Sequence, residues 1–268
     1  MTRCLRRLIA VGGGFITAGS EARRVNGPRA WLAEGISTYA LVFFGSISVV
    51  LAVAVHGGGE MTSEGLILIS LSHGGIIAIM VYAFGHVSGA HINPAVTIPM
   101  VITGKLGLRD GIAYVASQVA GAVIASATIA VILPSLASTV AFAGHTGPSD
   151  LLEGSVGSAF LVEVVLTFFL VLAIFMGIVH KRAPAGWHGF IVGGVITIIH
   201  LVGVPLTGAS VNPARSFGPA VFSGMWEFHW LYWVAPIVGG IIAGVLAKYV
   251  YVAREEREDD QSEDAGSP

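Results

Sequence analysis

Six long apolar segments alternate with shorter polar ones along this chain. They cover residues 31–55, 64–85, 110–132, 157–180, 188–204 and 230–252. Each is close to the roughly 20 residues that a helix needs to cross a hydrocarbon core of about 30 Å. The pattern therefore predicts six transmembrane helices.

Two further apolar stretches are too short to cross a membrane. One begins at Asn93-Pro94-Ala95 and runs to residue 102, and the other begins at Asn212-Pro213-Ala214 and runs to residue 222. Asn is a favoured N-cap and Pro is favoured at the first helical position, so both triplets predict a helix N-terminus. Broken backbone at membrane depth is tolerated only where it is buried in protein or lines a watery cavity. Its occurrence in both halves of a chain indicates the conduction or binding site.

Composition agrees with a chain embedded in a membrane. Of the 268 residues, 54% are hydrophobic and only 11% are charged, whereas soluble globular chains have about 25% charged residues. The 36 glycines suit helices that approach closely in lipid. The net charge of −2 gives no indication of a nucleic-acid partner. Cys4 is the only cysteine, which excludes an intramolecular disulfide and a cysteine-based metal site.

The distribution of Lys and Arg predicts the orientation of the spans. If the N-terminus lies inside, the predicted cytoplasmic segments hold every Lys and Arg except Arg215. Positive charge collects on the cytoplasmic side of membrane proteins, so we expect both termini in the cytoplasm. The first half-length helix then enters from the cytoplasmic side and the second from the outer side.

The two ends of the chain are expected to lie outside the membrane-spanning domain. Residues 1–30 combine Arg3, Arg6 and Arg7 with a short apolar run, as a signal peptide does. Cleavage would invert every later span against the charge distribution, so we interpret them as a cytoplasmic or interfacial extension; a true start further along the chain is the alternative. Residues 253–268 are acidic and nearly free of apolar side chains, which is typical of a disordered cytoplasmic tail.

The two halves of the membrane-spanning domain, 31–132 and 157–252 within 31–252, repeat each other. Glu34 lies near the start of the first span and Glu163 within the fourth, in similar surroundings. The run from Tyr114 in the third span resembles the run from Tyr232 in the sixth. Three spans in each half is an odd number, so the halves must face opposite ways, as in the inverted repeats of channels and transporters.

With these motifs described, the chain from about Trp31 to Lys248 resembles the aquaporins of the major intrinsic protein family, most nearly the prokaryotic water-selective type. The runs Ser88–Thr97 and Ser210–Ala220, the two Glu positions and the repeat carry the resemblance. It implies an all-α membrane protein: a right-handed bundle of six tilted helices and two re-entrant half-helices that meet at the midplane. It also implies a homotetramer in the cell membrane, with one pore per subunit, and a passive water channel that excludes ions and protons and is not an enzyme.

Several site residues follow from this resemblance and from the motifs. Asn93 and Asn212 are expected to cap the half-helices and to present amide donors to the pore. Glu34 and Glu163 are expected to brace the two loops by accepting backbone N–H groups, with a proton relay as the alternative. Backbone carbonyls are expected to form a ladder of acceptors along Gly89, Ala90, His91, Ile92, Gly208, Ala209, Ser210 and Val211.

The resemblance also implies a narrow filter on the outer side, formed by His73, His200, Ala209 and Arg215. Arg215 would donate hydrogen bonds and repel cations, because its guanidinium stays charged. His200 is typical of water-selective members of the family. His73 departs from them, because they usually have Phe at that position.

Two interpretations of His73 stay open. It is either a polar substitute for Phe, or it forms with His200 a lining that also admits ammonia, hydrogen peroxide or glycerol. Titration of the two rings near pH 6 to 7 would then gate the flow.

Two other classes of function agree less well with the sequence than a channel does. An ion-coupled secondary transporter would need more charged partners within its spans than Glu34 and Glu163, and an intramembrane enzyme would need a nucleophile and base that no motif provides. No cofactor or metal is expected. The remaining histidines lie at predicted span ends or loops without metal-ligand spacing: His56, His86, His145, His180, His188 and His229.

We expect mercuric ion to leave the water permeability of the wild type unchanged. Mercury-sensitive aquaporins are blocked when a thiol beside the filter binds the metal, and this chain has Ala209 at that position. Ala209→Cys should therefore confer inhibition that a competing thiol reverses, because a sulfur-bound metal obstructs a passage about one water wide. Permeability of both proteins with and without mercury checks this. An Ala209→Cys channel that reacts with a thiol reagent and still conducts would contradict the filter assignment.

Overall fold

The computed structural model describes residues 27–56, 60–134 and 146–252. The expected extension up to residue 26, with Cys4, and the acidic tail from residue 253 lie outside the described residues. The described part of the chain contains eight α-helices. They are α1 (Gly27–Val50), α2 (Ser63–Ser88), α3 (Pro94–Ile102), α4 (Leu108–Ile132), α5 (Val156–Ile174), α6 (His188–Thr207), α7 (Pro213–Ser223) and α8 (Leu231–Leu246).

Six of these helices are long and apolar enough to cross a membrane: α1, α2, α4, α5, α6 and α8. Three of them continue as short π-helices at Leu51–His56, Phe175–Val179 and Ala247–Val252. The helices α3 and α7 are the two half-length segments that begin at the Asn-Pro-Ala triplets. The predicted all-α architecture of six spans and two half-helices is therefore confirmed.

Helix ends differ from the predicted boundaries where a local residue signal starts or stops a helix. The first helix begins at Gly27 rather than at residue 31, because Pro28 suits the first turn of a helix. The helix α6, predicted as the fifth span with an end at residue 204, continues to Thr207. It ends there because Gly208 adopts the left-handed conformation, with φ 78°. Thr62 caps α2, since its hydroxyl accepts from Gly65 N at 3.1 Å.

The packing of the helices interlocks the two repeats. In the first repeat α1 packs against α2 and α4, and in the second α5 packs against α6 and α8. Each half-helix crosses to the other repeat, since α3 lies against α8 and α7 lies against α4. The long helices α2 and α6 also pack on each other. Each half-helix is therefore held partly by a long helix of the opposite repeat.

The crossing of α2 and α6 depends on two facing glycines. A Cβ added to Gly193 would lie 2.5 Å from the carbonyl oxygen of Gly74, and a Cβ added to Gly74 would meet the carbonyl of Gly193. The backbones touch because neither residue has a side chain. Small residues at such crossings permit close packing of helices in a membrane.

We expect Gly193→Ala to destabilise the protein by about 1–3 kcal/mol, because the added methyl group meets backbone that cannot move aside. Gly194→Ala is the matched control, since a Cβ there has no atom within 4 Å outside its own neighbourhood. Thermal unfolding of purified protein in detergent, followed by size-exclusion chromatography, measures the difference. Equal melting temperatures for the two variants would show that the crossing tolerates a wider separation.

Candidate functional site

Two loops lead into the half-helices, residues 89–92 before α3 and residues 208–211 before α7. Each opens with a glycine in the left-handed region, Gly89 with φ 89° and Gly208 with φ 78°. Positive φ then recurs at two later positions in each loop: Ala90, Ile92, Ala209 and Val211. A β-branched residue in this region is a genuine outlier. Such strain persists only where the surrounding structure holds the backbone in place.

The Glu34 carboxylate holds the first loop. Its Oε1 accepts from the Ser88 hydroxyl at 2.6 Å and from His91 N at 2.9 Å. Its Oε2 accepts from Ile92 N at 2.7 Å and from the Gln118 amide at 2.8 Å. The side chain is fully buried. Four donors therefore replace the water that this carboxylate loses on burial.

Glu163 holds the second loop in the same way. Its Oε1 accepts from the Thr207 hydroxyl at 2.7 Å and from Ser210 N at 2.9 Å, and its Oε2 accepts from Val211 N at 2.8 Å. In both loops one of the bound N–H groups belongs to the strained β-branched residue. Charge-assisted hydrogen bonds are stronger than neutral ones, so the carboxylates offset the backbone strain.

The two braces differ in their outer partners. Gln118 is a fourth donor to Glu34, whereas Pro236 occupies the corresponding place after Tyr232 and has no side-chain donor. The segment between the repeats instead contacts the two helices that flank the second loop. In it, Gly147 N donates to Thr207 O, at the end of α6, at 3.1 Å. Thr146 adds a hydroxyl contact of 3.1 Å to Ser216.

Two buried tyrosines tie the helix ends that precede the loops. The Tyr114 hydroxyl donates to Ser88 O at 2.8 Å, and the Tyr232 hydroxyl donates to Thr207 O at 3.1 Å. The sequence pattern aligns these tyrosines between the repeats but indicates no role for them or for Gln118. Their recurrence at matching positions of both halves is a signal of such a role, whereas Gln118 has no counterpart that could signal one.

The two asparagines join the loops to each other. The Asn93 side-chain oxygen accepts from Ala95 N at 2.8 Å, and its amide nitrogen donates to Val211 O at 2.7 Å. Asn212 makes the reciprocal bond, because its amide nitrogen donates to Ile92 O of the first loop at 3.0 Å. The positive ends of the α3 and α7 dipoles therefore meet inside the bundle. Each amide nitrogen carries a second hydrogen beyond the one used in this pairing.

The rings of His73 in α2 and His200 in α6 stack directly on each other. Their centroids are 4.1 Å apart and their planes differ by 29°. The Nδ1 atom of each ring lies 2.9 Å from the carbonyl oxygen four residues earlier, Ile69 O and Ile196 O. When neutral, each ring therefore carries its hydrogen on Nδ1 and leaves Nε2 as an acceptor.

The structure brings Arg215 close to this pair. It lies in the first turn of α7 and interacts electrostatically with both imidazoles. Ala209 lies in the loop before α7 and packs against α6. A Cβ added to Gly203 of α6 would lie 2.9 Å from the Cβ of Ala209. All four side chains are buried.

The fold and site together define a membrane channel. It has six apolar spans and two half-helices from opposed repeats, with an amide donor at the N-terminus of each half-helix and a cation at one of them. A family model described as major intrinsic protein matches residues 21–247. The chain belongs to the major intrinsic protein family. As a member of that family it is a passive water channel and not an enzyme.

Known proteins from plants, bacteria and animals are similar to most of the chain. Aquaporin TIP4-4 of Zea mays is 40% identical over 237 residues, which is 87% of this chain and 91% of the relative. Aquaporin Z of Bradyrhizobium diazoefficiens is 40% identical over 227 residues, 82% of this chain and 92% of the relative. Aquaporin-4 of Rattus norvegicus is 40% identical over 222 residues, 82% and 68% respectively.

A solved structure shares the fold. The X-ray structure of the aquaglyceroporin from Plasmodium falciparum has a TM-score of 0.73 to this chain at 23% sequence identity. The match covers 85% of this chain and 98% of that chain.

We expect Glu34→Gln and Glu163→Gln to lower the yield of folded protein more than they alter conduction by the protein that folds. Glutamine keeps one acceptor but turns an NH₂ group toward backbone donors, and an unsatisfied buried donor costs about 1–3 kcal/mol. Glu64→Gln, at the exposed start of α2, is the control. Folded yield from size-exclusion chromatography and water permeability in proteoliposomes decide the outcome. Normal folding with loss of transport alone would favour a proton relay.

Proposed function

We propose that water crosses the bundle in single file, first past His73, His200, Ala209 and Arg215 and then past Asn93 and Asn212. One observation carries this proposal: the amide nitrogens of Asn93 and Asn212 each bind a carbonyl of the opposite loop. This pairing supports a fixed meeting point of the two half-helix N-termini, where amide donors face a common passage.

The chemistry of this meeting point suits water and opposes ions. An amide hydrogen from each asparagine binds the oxygen of a passing water, while the loop carbonyls accept its hydrogens. The positive ends of α3 and α7 oppose cations and protons, as half-helix dipoles and an Arg do in aquaporin-type pores generally. Arg215 adds a full positive charge in the first turn of α7. The passage is therefore open to neutral molecules.

The burial of the filter residues supports a passage about one water wide. His73 is 1% exposed, His200 2%, Ala209 0% and Arg215 5%. A wider channel would expose the side chains that line it. This packing favours water over glycerol, which is bulkier.

Ammonia and hydrogen peroxide are the second class of solute that the site supports. The stacked rings of His73 and His200 offer a polar wall, and both solutes are small, neutral and able to form hydrogen bonds. Stopped-flow light scattering of proteoliposomes with water, glycerol, urea and ammonia separates the candidates. Water flux without glycerol or urea uptake supports the main proposal, and rapid glycerol uptake contradicts it.

We further propose that the channel domain, predicted as 31–252 and extended by α1 to Gly27, lies in the cell membrane with both termini in the cytoplasm, flanked by the N-terminal extension and the tail 253–268. The Lys and Arg distribution supports this orientation. Family membership supports a homotetramer. Accessibility of a C-terminal tag in intact and opened cells tests the orientation, and the mass of the detergent-solubilised particle tests the assembly.

We expect Arg215→Val to leave water flow largely intact while admitting glycerol or protons. The change removes both the bulk and the fixed charge of the filter. Glycerol uptake and proton leak, read with a pH-sensitive dye inside proteoliposomes, measure the effect. Arg29→Val, at the exposed start of α1, is the control and should behave as the wild type. Unchanged selectivity of Arg215→Val would place the constriction elsewhere.

A further inference from the structure

Gly45 of α1 stands against the ring of His73. A Cβ added at Gly45 would lie 2.5 Å from His73 Nε2, 2.9 Å from Cδ2 and 3.0 Å from Cε1. These three atoms form the tip of the imidazole, and real Cβ atoms essentially never approach another atom so closely. The ring tip therefore occupies space that only a glycine leaves.

This glycine differs from those at the helix crossings. At Gly121 and Gly239 an added Cβ would meet backbone of the neighbouring helix, Gly35 and Val164 respectively, which is the contact of two packed backbones. At Gly45 the three nearest atoms all belong to one side chain. Glycine is also a poor helix former, and Gly45 lies in the interior of α1. The contact with His73 therefore explains why a glycine stands at this position, whereas backbone packing between helices does not.

The remaining sides of the His73 ring are also constrained. Its Nδ1 lies 2.9 Å from Ile69 O, and one face lies against His200, whose own ring is tied to Ile196 O. Gly45, His73 and His200 thus lie in contact one after another, from α1 through α2 to α6. A His73 ring pushed away from α1 is pressed toward His200.

We propose that Gly45 is a specificity-determining residue of the channel, which sets the width of the filter by receiving the tip of the His73 ring. Any side chain at this position displaces the imidazole into the passage. The inference rests on the proposed function of His73 and His200 as filter residues. It adds α1 to the elements that shape the filter, through a residue without a side chain.

The test compares Gly45→Ala with Gly75→Ala in proteoliposomes. Gly75 lies in the same helix as His73, and an added Cβ there has no atom within 4 Å. We expect water permeability per folded channel to fall several-fold in Gly45→Ala and to stay at the wild-type value in Gly75→Ala. Folded Gly45→Ala with wild-type permeability would overturn the proposal.

The double variant Gly45→Ala/His73→Ala distinguishes the ring from general packing. Without the imidazole the added methyl group has no collision, so the double variant should conduct like His73→Ala alone. A loss that persists in the double variant would overturn the proposal. If Gly45→Ala fails to fold, stability is measured instead of conduction. Adding His73→Ala should then restore folding, and a double variant that still fails to fold would overturn the proposal.

The single variant His73→Ala separates this inference from the filter assignment on which it rests. If that assignment is wrong, removing the ring leaves both the rate of water flow and the exclusion of glycerol unchanged. If only the inference about Gly45 is wrong, His73→Ala alters selectivity while Gly45→Ala conducts normally. Altered selectivity of His73→Ala together with reduced flow in Gly45→Ala supports both.

Discussion

Two buried carboxylates hold the loops on which the rest of the channel depends. Glu34 and Glu163 each bind two consecutive backbone N–H groups of a re-entrant loop, and in each case one of them belongs to a β-branched residue with positive φ. An isolated charge at this depth would be costly, and a loop with such a backbone would relax. The loop and the carboxylate stabilise each other, because the loop provides the hydrogen-bond donors and the carboxylate fixes the strained backbone conformation.

The braced loops bring the ends of the two half-helices together, and the inverted repeat makes this arrangement reciprocal. Asn93 binds a carbonyl next to Asn212, and Asn212 binds a carbonyl next to Asn93. The half-helices also pack on long helices of the opposite repeat. Because each half completes the other, neither repeat can form the passage alone. The stacked pair of His73 and His200 is likewise built from both repeats, one ring from α2 and one from α6.

The equivalence of the repeats is incomplete, and the differences lie around the loops. Gln118 supplements the first brace, while the second is supported by Thr146 and Gly147 from the segment that joins the repeats. Only one of the two loops is followed by an Arg, at position 215. In the function proposed above, this difference puts the filter at one end of the passage, although the framework around it is nearly symmetric.

The sequence alone predicts the six spans, the two half-helices and the inverted repeat. These features depend on local causes: apolar length matches the hydrocarbon thickness, and Asn followed by Pro starts a helix. It also indicated Glu34, Glu163, Arg215 and the asparagines by their types and places. Three features could be learned only from the folded molecule: which donors reach Glu34, that each asparagine binds the opposite loop, and that His73 lies between Gly45 and His200. These contacts join residues far apart in the chain, and they depend on helix separations of a few ångströms, which no local pattern of residues encodes.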